Sequence, residues 1–99
     1  MLNIIWEFHC KPERQAEFEN MYRSDGKWSQ LFSCSPGYHG TTLIRDKSNP
    51  CHYLCADHWD DHASFQAFKD SNADDYTKLD RLCEELTVKE SCLGYFDSL

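Results

Sequence analysis

Apolar and polar positions change period several times along the chain. Ile4, Ile5, Trp6 and Phe8, bounded by Lys11-Pro12, predict a first strand over residues 3–10. Pro12 suits a first helical position. Glu13 in the first turn, followed by Phe18, Met21, Tyr22, Trp28, Leu31 and Phe32, gives a long helix bent or interrupted at Asp25-Gly26. Cys34-Ser35-Pro36-Gly37 ends it, and residues 38–45 form a second strand. The turn chemistry of residues 46–50 reverses the chain into a third strand over residues 51–59. A second helical region begins at Asp60 or Asp61, falters at Ser71-Asn72 and resumes with Tyr76, Leu79, Leu82, Cys83 and Leu86 on one face. Residues 87–96 form the fourth strand. The order is βαββαβ, an α+β arrangement in which both helical regions cover one face of the sheet.

The third strand carries the densest chemistry. Tyr53, Cys55, Asp57 and Trp59 share one face, and Asp60-Asp61-His62 then opens the next helix. A carboxylate two residues from an indole on a buried face needs a partner or a ligand, because stranding it costs a few kcal/mol. The opposite face, with His52, Leu54, Ala56 and His58, is too apolar in its middle to face water. A second copy of the same sheet is the simplest cover, so a homodimer is expected.

Ninety-nine residues set the scale of one domain spanning 1–99, burying roughly 65% of its unfolded surface. Fourteen Phe, Tyr and Trp residues are many for one small core to cover, which again favours a second chain or a ligand. The formal net charge is −7, with Lys and Arg scattered, so neither nucleic acid nor an anionic membrane surface is an expected partner. No apolar run is long enough for a membrane span and the start lacks a leader pattern, which predicts a cytoplasmic protein. In that compartment the six cysteines remain thiols.

The Pro12 helix start, Pro36-Gly37-Tyr38, the Asp57-x-Trp59 strand end and Asp60-Asp61-His62-Ala63-Ser64-Phe65-x-x-Phe68 together resemble the antibiotic biosynthesis monooxygenase family over nearly the whole chain. The resemblance implies a ferredoxin-like fold with a four-stranded antiparallel sheet, dimerising into an α/β barrel with a pocket between sheet and helices. Substrates among different members include small aromatic quinols, polyketide intermediates, haem and a sugar-derived signalling molecule. The family's strand-three Trp falls on Trp59, which implies a pocket position. In the cofactor-free oxygenases an Asn precedes that Trp by four residues and a Tyr follows it by six; here those places hold Cys55 and Phe65. Haem degradation is disfavoured, because Lys69 stands where that branch has a helical His and Trp6-Glu7-Phe8 where it has an Asn.

Asp57 is the candidate general base, its charged form disfavoured by apolar walls, unless Arg45, a His or a backbone N–H satisfies it. His39 is a second catalytic candidate if the hairpin register places it across from Asp57. Trp59, Tyr22, Trp28, Cys55, Phe65 and Tyr76 are candidate substrate contacts, with core packing as the alternative for the aromatic ones.

No metal is expected. His58 and His62 lie on different elements, and the adjacent His9 and Cys10 point to opposite faces. The glycines are dispersed and form no phosphate loop, so no nucleotide cofactor is expected, and the predicted reaction uses no cofactor. These features predict a small-molecule pocket serving oxygenation of a quinol-like aromatic. The alternatives are an isomerase using the same proton abstraction and a non-catalytic binding barrel.

Overall fold

The computed structural model describes residues 1–99. Strand β1 (Leu2–Cys10) is followed by a 3-10 turn at Pro12–Arg14, helices α1 (Gln15–Tyr22) and α2 (Lys27–Phe32), and the hairpin of β2 (Tyr38–Arg45) and β3 (His52–Trp59). Helices α3 (His62–Ser71) and α4 (Ala73–Glu84) lead into β4 (Thr87–Asp97). The sheet runs β2-β3-β1-β4 with every neighbouring pair antiparallel, the ferredoxin-like order that βαββαβ predicts.

Alternation decides which strand residues face the helices. Leu2, Ile4, Phe8 and Cys10 from β1 join Tyr53, Cys55 and Trp59 from β3 in one core with Phe18, Tyr22, Trp28, Phe32, Phe65, Phe68, Cys83 and Leu86. All of the helices therefore lie on the same side of the sheet.

Each helical region is broken where the residues suggest. At Asp25-Gly26 the chain turns so tightly that a Cβ on Gly26 would sit 2.7 Å from the carbonyl oxygens of Asn20 and Met21. Only glycine admits that approach, which lets α2 fold back against α1. Asp61 caps α3, its carboxylate accepting the Ser64 N–H at 2.8 Å. Asn72 closes the helix by donating both its backbone and side-chain N–H to the Phe68 carbonyl. No helix is long and apolar enough to cross a membrane.

The β2–β3 ladder contains the one departure that matters for the site. Tyr38 pairs with Trp59 but Gly40 pairs with His58, so His39 is an extra residue in a bulge. Gly40 has φ +120°, a conformation that a side chain would strain, and so it supports the bulge. Beyond it, Thr41 stands opposite Asp57 and shares the helix-covered face with Tyr38.

Candidate functional site

Between the sheet and helices α1, α2 and α4 lies a cavity of about 160 Å³. Trp6, Phe8, Tyr22, Trp28, Phe32 and Tyr76 supply its aromatic walls, joined by Thr41 and Cys55. Phe8 and Tyr22 rings meet at 4.5 Å, and Trp28 meets Tyr76 edge-on at 5.1 Å. Three carboxylates complete the lining. Asp57 comes from β3, whereas Asp80 of α4 and Glu90 of β4 are exposed at the mouth. A cavity of this size holds about one benzene ring.

Asp57 is the titratable group set in the aromatic interior. Burial pushes its pKa up to about 6, opposed by the Thr41 hydroxyl, which donates to Oδ1 at 2.7 Å. A carboxyl with that value is mostly ionised at neutral pH yet readily takes a proton. The Thr41 hydroxyl also meets the Tyr38 phenol, which lies 3.0 Å from Ser29 Oγ, itself 3.4 Å from the Arg23 carbonyl. Hydroxyls both donate and accept. With Asp57 ionised the donors run from Tyr38 through Thr41 to Oδ1, and a proton taken on Oδ2 leaves Oδ1 free to accept from Thr41 as before.

The thiol and the phenol of the walls are held neutral. Burial raises the Cys55 thiol well above its ordinary pKa, and Asp57 adds to the effect. Tyr76 is pushed up to about 12 by burial, with Asp80 and Asp57 contributing. Burial, followed by Asp80 and Glu84, raises Glu90. Neither Cys55 nor Tyr76 is an anion near neutral pH, and Glu90 lies at the mouth, which leaves Asp57 as the base set in the aromatic interior.

Four candidates from the sequence therefore converge with Asp57 on one cavity: Tyr22, Trp28, Cys55 and Tyr76. Two others go elsewhere. Trp59 has no exposed surface and lies against Phe32, Tyr38, Phe65 and Phe68 at 5.2 to 5.6 Å between ring centroids. Phe65 is part of that same aromatic packing. Trp59 follows Asp57 on the same strand face, but α3 and the Tyr38 ring close over it at the end of the sheet, so it is core and not lining. Its Nε1 is buried without a partner.

His39 is also placed away from Asp57. The bulge turns it out to the surface, where its ring meets the Asp60 carboxylate. Thr41 occupies the position across from Asp57 that the hairpin reading considered for His39. Trp6, Phe8, Asp80 and Glu90 were not among the expected lining residues. Trp6 and Phe8 were legible in principle, since they share strand β1's inner alternation with Ile4, whereas Asp80 and Glu90 required knowing how α4 lies over β4.

The outer sheet face brings together Glu7, His9 and His52, each with one metal-binding atom within 4.8 Å of the others. Glu7 and His9 are two apart on β1, and His9 pairs across the ladder with His52. Both nitrogens of His52 are already engaged, Nε2 with Glu7 Oε2 at 2.8 Å and Nδ1 with Asp46 Oδ2 at 2.9 Å. The cluster is thus satisfied as an ion-pair network, with His52 raised by Asp46 first and then Glu7.

A family model described as antibiotic biosynthesis monooxygenase matches residues 1–76. Among solved structures, a variant of SnoaB, a cofactor-independent oxygenase from Streptomyces nogalater, is similar with TM-score 0.81 and 20% identity over 98% of this chain and 91% of that one. SnoaB itself gives 0.78 and 19% over 99% and 92%. A conserved protein from Methanosarcina mazei gives 0.74 and 18%, also over 99% and 92%. At such identities these structures share the fold. No curated protein matches the chain.

Proposed function

The chain belongs to the antibiotic biosynthesis monooxygenase family, and from that premise we propose that it oxygenates a small electron-rich phenol or quinol in the Asp57 cavity. The observation that carries the reading is a carboxylate with a pKa of about 6 set among aromatic walls, in a cavity sized for one ring. Asp57 takes the phenolic proton on Oδ2, the oxygen that Thr41 leaves free. The ring anion passes an electron to O₂, and the radical pair closes a C–O bond at a ring carbon bearing hydrogen. The peroxide regains the proton from Asp57, and loss of water with the ring hydrogen leaves a quinone carbonyl. One oxygen atom stays in the product and the other leaves as water, so the substrate is the only reductant required.

The protein's contribution is binding and proton placement. Trp28, Tyr22 and Tyr76 hold the ring, and Thr41 fixes the carboxylate by donating to Oδ1 whether or not Oδ2 carries the proton. Supporting this role, SnoaB is described as cofactor-independent, and this cavity contains a base that such chemistry needs.

The proposed assembly is a homodimer through the outer sheet face. Ile44 and Phe96 are about half exposed there, at 55% and 48%, beside half-buried Ile5, Leu54 and Ala56. A second reading, a barrel that binds its ligand without turnover, is favoured by Cys55, a neutral thiol where the resembling oxygenases have a polar amide.

Oxygen consumption with a panel of phenols and quinols, using isotopically labelled O₂, separates the two. The oxygenase reading expects uptake with one labelled atom in the product. Binding of the same compounds without uptake would establish the second reading instead.

A further inference from the structure

We infer that the ligand of this cavity carries a protonated amine: the site is built for a single aromatic ring whose side arm ends in an ammonium group between Asp80 and Glu90. The inference concerns the same cavity as the oxygenase reading and adds the class of molecule that enters it.

The argument starts from the charges of the lining. Asp57, Asp80 and Glu90 face the cavity, and its lining includes no Lys, Arg or His. The whole chain is acidic, at −7, so its long-range field also draws cations and repels anions. A ligand bearing a carboxylate or phosphate would meet three negative charges with no partner. A neutral ligand gains nothing from the two mouth carboxylates, which stay hydrated, whereas an ammonium is attracted by both.

The walls point the same way. Aromatic faces attract cations through their quadrupoles, and cages of Trp, Tyr and Phe are a recurrent means of holding ammonium groups. Tyr76 already shows the affinity, since the Lys69 ammonium lies 5.4 Å from its ring centroid although Lys69 is not a lining residue. Tyr76 and Asp80 are four residues apart on α4 and so lie on one helix face. That pairing places an aromatic ring next to a carboxylate along the entry.

Size sets where the amine goes. About 160 Å³ accommodates one ring and little more, so the arm must extend toward the mouth, where Asp80 and Glu90 are exposed. The ring itself lies against Asp57 and Trp28. Trp28 is only 7% exposed and packs against Tyr22, Phe32 and Tyr76, so it offers the ligand ring a wall already fixed in place.

The test is binding under anaerobic conditions, by calorimetry or tryptophan fluorescence, of three para-substituted phenols of matched shape. Tyramine carries an ammonium, para-ethylphenol is neutral and para-hydroxyphenylpropionate is anionic. The inference expects tyramine to bind about tenfold more tightly than para-ethylphenol, and the anion to bind most weakly. Removing both mouth charges with Asp80→Asn and Glu90→Gln should bring the tyramine to ethylphenol ratio close to one. Asp74→Asn with Asp75→Asn, which removes the same net charge from the start of α4, should leave the ratio as it was. A neutral ligand that binds as well as tyramine, a ratio unchanged by the mouth variant, or failure of tyramine to bind would each overturn the inference. Because no turnover is required, amine selectivity without oxygen uptake would refute the oxygenase reading alone.

Discussion

Thr41 stands directly across the β2–β3 ladder from Asp57 and donates its hydroxyl hydrogen to Oδ1 at 2.7 Å. The bond favours the charged carboxylate, while burial disfavours it more strongly, and the balance sits at about 6. Replacing Thr41 with Val keeps the shape and removes the donor. The Asp57 pKa should then rise further, moving the acid limb of any pH–rate profile to higher pH by up to about one unit. Carboxyl chemical shifts measured against pH read the change directly; an unmoved Asp57 titration would mean that the bond does not hold the charge.

The same residue sets a pH dependence of stability. The folded pKa of Asp57 lies above its unfolded value of 3.8, so the native state binds the proton more tightly. Its protonated form favours the fold at low pH, and that advantage is lost as pH rises from about 4 through about 6. Asp57→Asn removes the ionisation. The variant should be more stable than the parent at pH 7 by up to about 3 kcal/mol, with the difference vanishing below about pH 4. Urea denaturation at several pH values checks both the sign and the window.

His52 provides a separate titration on the opposite sheet face. Asp46 and Glu7 raise its pKa, and the same bonds hold both carboxyls below their usual range. Stability from the imidazolium is fully present below the unfolded His value of about 6.5 and is lost as pH rises through the higher folded value. His52→Gln should flatten that loss above about pH 6.5. A parent and variant with parallel stability curves over this range would show the network to be inert.

The architecture was legible because period and punctuation agree. Strand alternation, the Asp25-Gly26 break and the Ser71-Asn72 break all appear where the residues put them. The site was legible only in part. Asp57, Cys55, Tyr22, Trp28 and Tyr76 converge because helix and strand faces are periodic. Trp59 shares Asp57's strand face, but which end of a face is covered by α3 depends on packing between distant elements. His39 was displaced by a bulge, and one extra residue reassigns every position beyond it. The glycine at position 40 was the available sign of that bulge.

Trp59 and Trp28 should separate in mutagenesis. Trp59 is fully buried among four aromatic rings, so Trp59→Ala should cost about 3 to 5 kcal/mol of stability. Trp59→Phe should fold and leave ligand affinity within about twofold, since the indole does not line the cavity. Trp28→Phe should weaken binding more than Trp59→Phe does. Paired thermal melts and ligand titrations give the comparison, and a larger affinity loss at Trp59 would contradict the placement.

The outer sheet face predicts assembly. Sedimentation at micromolar concentration should give the mass of two chains, and Leu54→Asp should shift it toward one chain or unfold the protein, since a buried unpaired charge costs several kcal/mol. A parent that sediments as a monomer would contradict the proposed interface.

The most direct test of the central claim is oxygen uptake by the parent and by Asp57→Asn, followed across pH on the phenol or quinol that the panel selects. The account predicts activity that rises with a pKa near 6, and a loss of about two to four orders of magnitude in the variant, which still folds and still binds the compound. Uptake that is indifferent to Asp57→Asn, or none with any compound that binds the cavity, would contradict it.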